Sequence, residues 1–527
     1  TISCSMGMMR SSLVASASIF LSRMTGMLRE IVYTSLFGAT GVTDAFNAAF
    51  RIPNLLRDLF AEGALSQAYT SVAAKTRKTD GDDALWELTN KMATQLSTLM
   101  IAIVTVGIIF AGPIMELLLQ GGPDQSKMEF ATDLSRIMWP FIGFASLSAL
   151  VMGALNVVGV FGLPQMASAA FNIVSIVVGF AFGYYLDPTL GPKALYGFAI
   201  GVSAGGLAQW LVQVPRLKKA GFHWHFNFAW KDPKMYKIWG LMLPSVLASG
   251  VTQMNVFINT GFAFELQPGS LTVLTTAFKI WQLPVGLFGV ATGMVVLPAI
   301  SRMMVGDGRT EVAGHLAKAL RFVAFFAVPS VVFLGILGEE IVSVIYQWGR
   351  FSQEAVIYTG SVLAAYSLGL LGYAGTKVVQ PAFLALEKRW VPLVVSLIAL
   401  IMSFAMNYSF VRIWHKDASW LALSTSIITT LNFLYYFVYL RKQLGGLCGR
   451  MLVSGLSRII GAGIVLAGLC WTIKTYLMDG FLSWNYLDRI SLMAGTGIAG
   501  IILYLGIAWL LHAPELDVLR ERFIKKH

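Results

Sequence analysis

Cysteine and charged residues are both scarce in this chain of 527 residues. Its three cysteines, Cys4, Cys448 and Cys470, form no CxxC motif and no evident pair, so the sequence implies neither a disulfide framework nor a metal site. Charged residues make up 13% of the chain and hydrophobic residues 56%. This balance excludes an ordinary soluble protein of this length.

Long polar segments are missing as well, since the longest of them, 73–83, 215–237 and 300–312, have only the length of loops. A helix needs about 20 apolar residues to cross a bilayer, whereas the strands of a membrane barrel alternate between apolar and polar residues. The uniformly apolar runs therefore predict an all-α polytopic membrane protein. About fourteen spans are predicted, at 11–36, 42–72, 84–111, 132–157, 164–186, 193–214, 236–264, 271–299, 313–337, 354–378, 390–413, 418–440, 451–475 and 487–511.

Acidic residues are fewer than basic ones, 27 against 39, which gives a net charge of +12. With the N-terminus placed inside, the inner loops and tails hold about 22 Lys and Arg residues and the outer loops about 6. This asymmetry predicts that both termini are cytoplasmic. The positive charge is explained by topology and by attraction to anionic lipid, and no nucleic-acid partner is expected.

A short pattern occurs twice in the chain. Residues 49–60 read AFRIPNLLRDLF and residues 277–288 read AFKIWQLPVGLF, which share A-F-[RK]-I-x-x-L-x-x-x-L-F at an offset of 228 residues. Each copy falls in the second span of a group of six, so the pattern predicts two six-helix lobes related by a pseudo-twofold parallel repeat, followed by two C-terminal helices. The predicted domains are an N-terminal lobe, a C-terminal lobe, and a C-terminal helix pair with a cytoplasmic tail, at 10–222, 223–442 and 443–527.

Under this alignment Arg51 and Lys279 are at equivalent positions. Transporters built from such repeats bind substrate between the repeats, near the membrane midplane, so we expect both cations to face that interface. Two like charges in a medium of low dielectric constant are unfavourable without a counter-ion. The pair therefore predicts an anionic ligand.

The first span contains Arg23, Arg29 and Glu30 in an otherwise apolar run. Ionisable groups at membrane depth normally face a bundle interior or a water-filled cavity, and Arg23 and Glu30 are seven residues apart on nearly one helical face. We interpret these residues as part of a cationic cavity, with Glu30 a candidate gating residue. The alternative is that the side chains snorkel to the interface.

The second span contains Asp44, Arg51 and Asp58 at intervals of seven residues, which places them along one stripe of a helix. Asp44 has two interpretations that the sequence leaves open. It either faces the cavity or stabilises the start of the helix, where Thr43 can act as the cap. Asp58 is a candidate gating residue.

Arg57 and Asn54 in the same span are further candidates for substrate binding. Pro53 removes a backbone donor and should kink the helix there, which leaves carbonyl groups beside Asn54. Glu62 is predicted near the cytoplasmic end, either as a gating residue that pairs with a cation or as an interfacial carboxylate. Because a guanidinium matches phosphate oxygens in a forked geometry and stays protonated, converging arginines favour a phosphate-bearing substrate.

Residues 22–69 read SRMTGMLREIVYTSLFGATGVTDAFNAAFRIPNLLRDLFAEGALSQAY. This run, with its S-R-x-x-G-x-x-R-[DE] and TDAF…PNLLR motifs, resembles the N-terminal signature of the MurJ (MviN) family. The family consists of bacterial lipid II flippases within the multidrug/oligosaccharidyl-lipid/polysaccharide exporter superfamily. The resemblance extends along the chain through the number of spans, the two lobes and the extra C-terminal pair.

The resemblance implies that the chain flips lipid II, the lipid-linked peptidoglycan precursor, from the cytoplasmic to the outer leaflet of the bacterial inner membrane. It implies alternating access through a cationic cavity that binds the diphosphate head group, with a groove for the polyprenyl tail at the last two helices. No enzymatic activity, cofactor or metal is implied. Membrane potential or a cation gradient is the expected energy source. Membrane lipids and the cell-wall synthesis machinery are expected partners. The family's arginines in spans one, two and eight correspond to Arg23, Arg29, Arg57 and Lys279, with Asp44 the matching acid.

Two positions depart from the family pattern. Members often have an Ala-Asp-Arg run in span eight, where this chain has Ala277, Phe278 and Lys279, and Asp58 stands where a second arginine often follows Arg57. A different gating pair or a variant cargo would account for these changes.

Three other functions remain as alternatives. One is export of another polyprenyl-linked saccharide. Another is a membrane enzyme acting on polyprenyl phosphate, for which the acids Asp80, Asp82 and Asp83 could bind Mg²⁺ if they are not simply a solvated turn. A non-transporting scaffold is the third, and the charged residues within both halves argue against it.

Overall fold

A computed structural model of the chain describes residues 21–59, 65–119, 125–286, 309–386, 388, 390–447 and 449–516. Within these residues all regular secondary structure is helical, as predicted. The main helices are α1 at 21–37, α2 Gly41–Arg57, α3 Ser66–Ile109, α4 Ala111–Leu119, α5 Gln125–Met138, α6 Pro140–Val157, α7 Gly162–Leu186, α8 Ala194–Leu211, α9 Val214–Lys219, α10 Pro233–Glu265, α11 Ser270–Pro284, α12 Arg309–Ile336, α13 Gly338–Tyr346, α14 Gln353–Ser367, α15 Leu370–Ala385, α16 Trp390–Tyr408, α17 Ala418–Gln443, α18 Gly449–Leu477 and α19 Tyr486–Leu510.

Many of these helices can cross a membrane. Nine helical stretches in the described part of the chain are long and apolar enough, and a tenth is added if α14 and α15, which meet at a bend of 44°, form one span. They coincide with predicted spans three to six and nine to fourteen. The multi-span helical architecture is therefore confirmed, whereas the total of fourteen spans and the two-lobe repeat stay predictions.

The predicted span 42–72 covers α2 and the first residues of α3, and residues 60–64 between them lie outside the described residues. One predicted boundary near the N-terminus is wrong. The stretch 73–83, expected to be a loop, is helical except at Gly81, where φ is +89°. Alanine, lysine and arginine are strong helix formers and dominate this stretch up to residue 78, so helix propensity outweighs the polar composition that suggested a loop.

The start of α2 is set by a capping box. The side-chain oxygen of Thr40 accepts a hydrogen bond from Thr43 N, and Thr43 Oγ1 accepts one from Thr40 N at 2.8 Å. The cap is thus Thr40 rather than the expected Thr43, because Thr40 has the extended backbone that the cap position requires. The helix then runs through Pro53 to Arg57, and residues 58–59 continue it as a π-helical turn.

By its internal contacts the chain divides into two units, Thr1–Leu271 and Thr272–His527. In the first unit, α10 packs against α2, α3 and α4, although the sequence assigned this helix to the second lobe. The predicted domain bounds stay predictions. An apolar core of this unit is formed by residues of α1, α2, α5, α6, α7 and α8. Helices α7 and α8 approach closely because Gly201 has no side chain: a Cβ there would lie 2.6 Å from the carbonyl oxygen of Ser175.

In the second unit α12 packs against α14, α15 and α18. The break between α14 and α15 leaves backbone carbonyls that need partners, and Ser426 Oγ of α17 donates to the carbonyl oxygens of Ala365 and Tyr366 at 2.7 and 3.2 Å. A buried ion pair joins α12 to the segment after α19, with Arg321 Nε 2.6 Å from Glu515 Oε1.

Candidate functional site

Two arginine side chains of the first unit lie against one group of three phenylalanine rings, Phe50, Phe141 and Phe171, which we call the phenylalanine cluster. The guanidinium carbon of Arg29 is 4.9 Å from the Phe171 ring centroid and 5.9 Å from that of Phe50. The guanidinium carbon of Arg57 is 5.9 Å from the Phe141 centroid. Contact between a cation and an aromatic face at these distances is attractive, so the cluster holds two cations that α1 and α2 bring together.

The rings themselves pack in a row, with centroid distances of 5.5 Å between Phe50 and Phe141 and 5.1 Å between Phe141 and Phe171. Two adjacent glycines of α8 make room for them. A Cβ at Gly206 would lie 2.8 Å from Phe141 Cδ2, and one at Gly205 would lie 2.9 Å from Phe171 Cδ2. The cluster is therefore formed by rings from α2, α6 and α7, which pack against the two glycines of α8.

Helix α1 is joined to α7 beside the cluster. Asn172 Nδ2 donates to Ser22 O at 3.3 Å and to Thr25 Oγ1 at 3.2 Å. A Cβ on Gly26 would lie 3.4 Å from the same Nδ2 atom, which is an ordinary van der Waals distance. These contacts position the helix that bears Arg29.

The electrostatics of Arg29 favour an anion. Its Nη1 atom is buried and has no hydrogen-bond partner among the described residues, whereas buried polar groups are nearly always hydrogen-bonded. Burial disfavours the charged form of Arg29, neighbouring Glu30 attracts its charge, and Arg57 repels it. Stacking on an aromatic ring occupies the face of a guanidinium and leaves its in-plane N–H groups available, and these are the groups that bind phosphate oxygens.

Arg57 is engaged at its edge as well as at its face. Its Nη2 and Nε atoms lie 2.8 and 3.2 Å from Asp58 Oδ1. The other carboxylate oxygen of Asp58 accepts a hydrogen bond from Gln253 Nε2 of α10 at 3.4 Å. Both side chains of the ion pair are about a quarter exposed, at 22% and 26%, so Asp58 competes with any external anion for Arg57.

Asp44 is buried and binds protein rather than the cavity. Its Oδ2 accepts a hydrogen bond at 2.7 Å from the backbone N–H of Gly269, in the turn that follows α10. Gly269 has a φ of +94°, and a Cβ there would lie 2.5 Å from the carbonyl oxygen of Ala39. Asp44 thus fastens the first turn of α2 to this turn, which favours the structural interpretation of the residue.

The remaining predicted residues of the first unit differ in burial. Arg23 is exposed, Arg51 and Asn54 are half-buried, and Glu30 is buried. Arg51 and Glu30 both have polar interactions within the fold. The candidate gating residue Glu62 lies outside the described residues.

Lys279 is half-buried on α11, in the second unit. The preceding Phe278 packs against Trp281 and Tyr366, with ring centroids 5.3 and 5.6 Å away. This aromatic packing gives a physical reason for an apolar residue at a position where the family often has an acid.

Two of the three acids considered for a metal site form ion pairs. Asp80 Oδ2 is 2.6 Å from Lys234 Nζ, and Asp82 Oδ1 is 2.6 Å from Arg77 Nε. Across the described ranges no group of three His, Cys, Asp or Glu side chains could hold a metal ion.

Sequence reasoning missed the phenylalanine cluster and Gln253. The three rings come from separate helices and have no pattern that distinguishes them from other apolar residues. Gln253 could have been found, because it is a polar residue within a predicted span, where such residues commonly face a cavity or another helix.

The helices and apolar spans of the described residues define the class of polytopic α-helical membrane proteins, and solved structures support this fold. A lipid II flippase MurJ in an inward closed conformation superposes with a TM-score of 0.76 at 23% identity, over 96% of this chain and 100% of that one. An inward-facing multidrug resistance MATE family transporter of the MOP superfamily gives a TM-score of 0.68 at 14% identity, over 82% of this chain and 98% of that one. These likenesses establish the fold.

The family follows from sequence comparison. The model of the family described as lipid II flippase MurJ matches residues 33–490. The probable lipid II flippase MurJ of Vibrio cholerae is 32% identical, over 98% of both chains. The lipid II flippase MurJ of Burkholderia cenocepacia is 33% identical, over 96% of this chain and 98% of that protein. The chain belongs to the lipid II flippase MurJ family, and it is a multi-pass membrane protein.

Proposed function

We propose that this protein flips lipid II from the cytoplasmic to the outer leaflet of the bacterial inner membrane, and that Arg29 and Arg57 bind the diphosphate of the head group. The observation that carries the proposal is the placement of both guanidinium groups on the phenylalanine cluster. Arg29 is held by aromatic faces and keeps a buried donor without a hydrogen-bond partner in the described part of the chain. Membership of the family supports the identity of the cargo.

The cluster solves a physical problem of phosphate transport. A carboxylate partner would neutralise Arg29 and occupy the donors that a phosphate needs. Aromatic rings stabilise the cation without taking those donors, so the binding group stays charged and oriented in the absence of cargo. Binding then costs little reorganisation of the side chain.

Asp58 has a gating role in this proposal. Because its carboxylate holds Arg57 in the described state, the diphosphate must displace it to reach the second guanidinium. Gln253 then retains a hydrogen bond to Asp58 on the side of α10. Exchange of Arg57 between Asp58 and the cargo makes the opening of this ion pair a step of cargo binding.

Several further features belong to the same proposal. Arg23, Arg51 and Asn54 add to the cationic site of the first unit, and Asp44 supports α2 from its first turn. Lys279 is a further cation for substrate binding, and transport proceeds by alternating access. Both termini are cytoplasmic, as the distribution of Lys and Arg in the loops indicates. Membrane potential or a cation gradient drives the cycle, without a cofactor.

The test is rescue of a bacterium depleted of its own lipid II flippase. The parent protein, its Arg29→Ala variant and an Arg136→Ala control are compared at matched membrane levels. Arg136 also bears a positive charge, but it is half exposed and pairs with Asp133 on the surface of α5. We expect growth with the parent and the control and no growth with Arg29→Ala.

Failure of the well-inserted parent would contradict the lipid II assignment and favour another polyprenyl-linked saccharide. Rescue by Arg29→Ala would contradict the role of the phenylalanine cluster while leaving the cargo unchallenged.

A further inference from the structure

A segment between α9 and α10 has an aromatic residue at every second position. We call residues 222–230 the aromatic strap. It has no regular secondary structure. Its aromatic members are Phe222, Trp224, Phe226, Phe228 and Trp230, and the residues between them are His223, His225, Asn227 and Ala229.

The intervening residues bind the strap to α3 through its backbone. Polar side chains of α3 form hydrogen bonds with the backbone N–H and C=O groups of the strap, as a neighbouring strand would in a sheet. The hydrogen bonds run from Asn90 Nδ2 to His223 O at 2.9 Å, from His225 N to Asn90 Oδ1 at 3.1 Å, from Asn227 N to Thr94 Oγ1 at 3.1 Å and from Gln95 Nε2 to Ala229 O at 3.3 Å. Backbone that is satisfied by protein can lie at membrane depth, where unsatisfied backbone cannot.

Side-chain contacts fix the register of the strap. His225 Nε2 lies 3.0 Å from Glu87 Oε2, and Asn227 Nδ2 donates to Glu87 Oε1. Just beyond the strap, Asp232 Oδ2 is 2.9 Å from Lys91 Nζ. Burial raises the pKa of Asp232, but hydrogen bonds from Lys91 and from a backbone N–H outweigh burial and hold this pKa below its usual range.

The first aromatic residue of the strap packs on α3, and the other four are exposed. Phe222 is buried against Trp86, with ring centroids 6.0 Å apart. The next four remain exposed, at 47% for Trp224, 73% for Phe226, 50% for Phe228 and 56% for Trp230. A contiguous exposed row of large aromatic rings marks an interaction surface.

The charge around the strap is strongly one-sided. Within 214–237 the single acid is Asp232, which is engaged with Lys91. Several basic residues of the same segment are exposed, namely Arg216, Lys218, Lys219, Lys231 and Lys237. Such a surface complements a negatively charged partner.

We propose that the aromatic strap inserts into the headgroup region of the cytoplasmic leaflet and binds anionic phospholipid there. Aromatic residues are enriched at the membrane–water interface because the rings tolerate both environments, and juxtamembrane Lys and Arg residues attract anionic lipid. The assignment to the cytoplasmic leaflet rests on the proposed topology. Insertion of the strap does not depend on the identity of the cargo, so its test has no transport readout.

The experiment measures the depth of the strap in vesicles of the full-length protein. Cys4, Cys448 and Cys470 are replaced by alanine, and single cysteines are introduced as Phe226→Cys or, as a matched control, Lys219→Cys. Both replaced side chains are exposed, so neither substitution disturbs the core. Each cysteine is labelled with an environment-sensitive dye, and the protein is reconstituted into phosphatidylcholine vesicles with or without phosphatidylglycerol.

We expect doxyl lipid to quench the label at 226 strongly, at a depth of about 5–10 Å from the interface, and aqueous iodide to quench it weakly. The label at 219 should show the opposite preference. Phosphatidylglycerol should increase the doxyl quenching at 226, and the double substitution Lys218→Gln and Lys231→Gln should reduce that increase.

Equal iodide quenching of the two labels, without any effect of doxyl lipid, would overturn the proposal. That result would leave the aromatic row for a soluble protein partner or a second copy of the chain. Insertion that is the same with and without phosphatidylglycerol would overturn the part of the proposal that concerns anionic lipid. A Phe228→Cys label repeats the measurement at a second exposed ring.

Discussion

Replacement of Phe171 by leucine should weaken binding of a polyprenyl diphosphate while the protein remains folded. The substitution retains an apolar side chain but removes the aromatic face that lies 4.9 Å from the Arg29 guanidinium. A cation–π contact away from solvent contributes about 2 kcal/mol, and about 1.4 kcal/mol corresponds to a tenfold change in affinity. If the whole contribution serves to orient Arg29 for its ligand, the dissociation constant should rise about 30-fold.

The same substitution also removes ring packing, because Phe171 is buried and contacts Phe141. An aromatic pair contributes about 0.5–1.5 kcal/mol beyond its buried area, so some loss of stability is expected. Phe198→Leu is the matched control. Phe198 belongs to the same apolar core and packs against Phe37 and Tyr33, outside the phenylalanine cluster.

The assay is equilibrium binding of a fluorescent polyprenyl diphosphate to purified protein, together with thermal unfolding of each variant. Phe171→Leu should lose affinity, Phe171→Tyr should keep it, and Phe198→Leu should lose stability without losing affinity. Parental affinity in Phe171→Leu would refute the reasoning. An equal loss in Phe198→Leu would also refute it, since general packing would then account for the effect.

Four further predictions concern single groups. Asp58→Asn should tighten diphosphate binding and slow transport, because the carboxylate that competes for the second guanidinium is gone; binding and rescue that both match the parent would contradict the gating role. Lys279→Arg should support growth in the depletion strain, because arginine keeps the cation and adds a forked geometry; loss of growth there, with Lys279→Ala still active, would exclude phosphate contact at this position. Glu515→Gln should lower the free energy of unfolding by about 3–5 kcal/mol, because Arg321 stays buried without its counter-ion. The double variant with Arg321→Met and Glu515→Leu should recover most of that loss, as measured by thermal unfolding. Although burial raises the pKa of Asp232, its hydrogen bonds hold the pKa in the folded state below the unfolded value of about 3.9. The carboxylate therefore stabilises the fold fully above about pH 4, and this stabilisation is lost as the pH falls through the lowered pKa. Thermal unfolding of Asp232→Asn should depend less on pH than that of the parent, and an unchanged dependence would contradict this.

Local properties of the sequence determined the class of the protein and most of its helices. Apolar runs of sufficient length predict spans because the bilayer imposes a minimum length on every crossing. The charged residues of the first two spans stood out for the same reason, and two of them, Arg29 and Arg57, lie together in the structure. The ends of the helices were harder to predict than the helices themselves. The helical stretch after residue 73 and the cap at Thr40 depend on the local preferences of a few residues, which the search for long apolar runs does not detect.

Tertiary structure alone decided what these residues contact. Asp44 was open to two interpretations until the backbone N–H of Gly269, more than two hundred residues away in sequence, was found at hydrogen-bond distance. Phe141 and Phe171 are ordinary apolar residues in sequence and become part of a cation site only because α6 packs against both α2 and α7. Composition and periodicity constrain each helix separately, whereas a site made from several helices depends on side-chain packing between segments that are far apart in the chain. For that reason the sequence determined which residues could bind an anion, and only the packed structure decided how their charges are held.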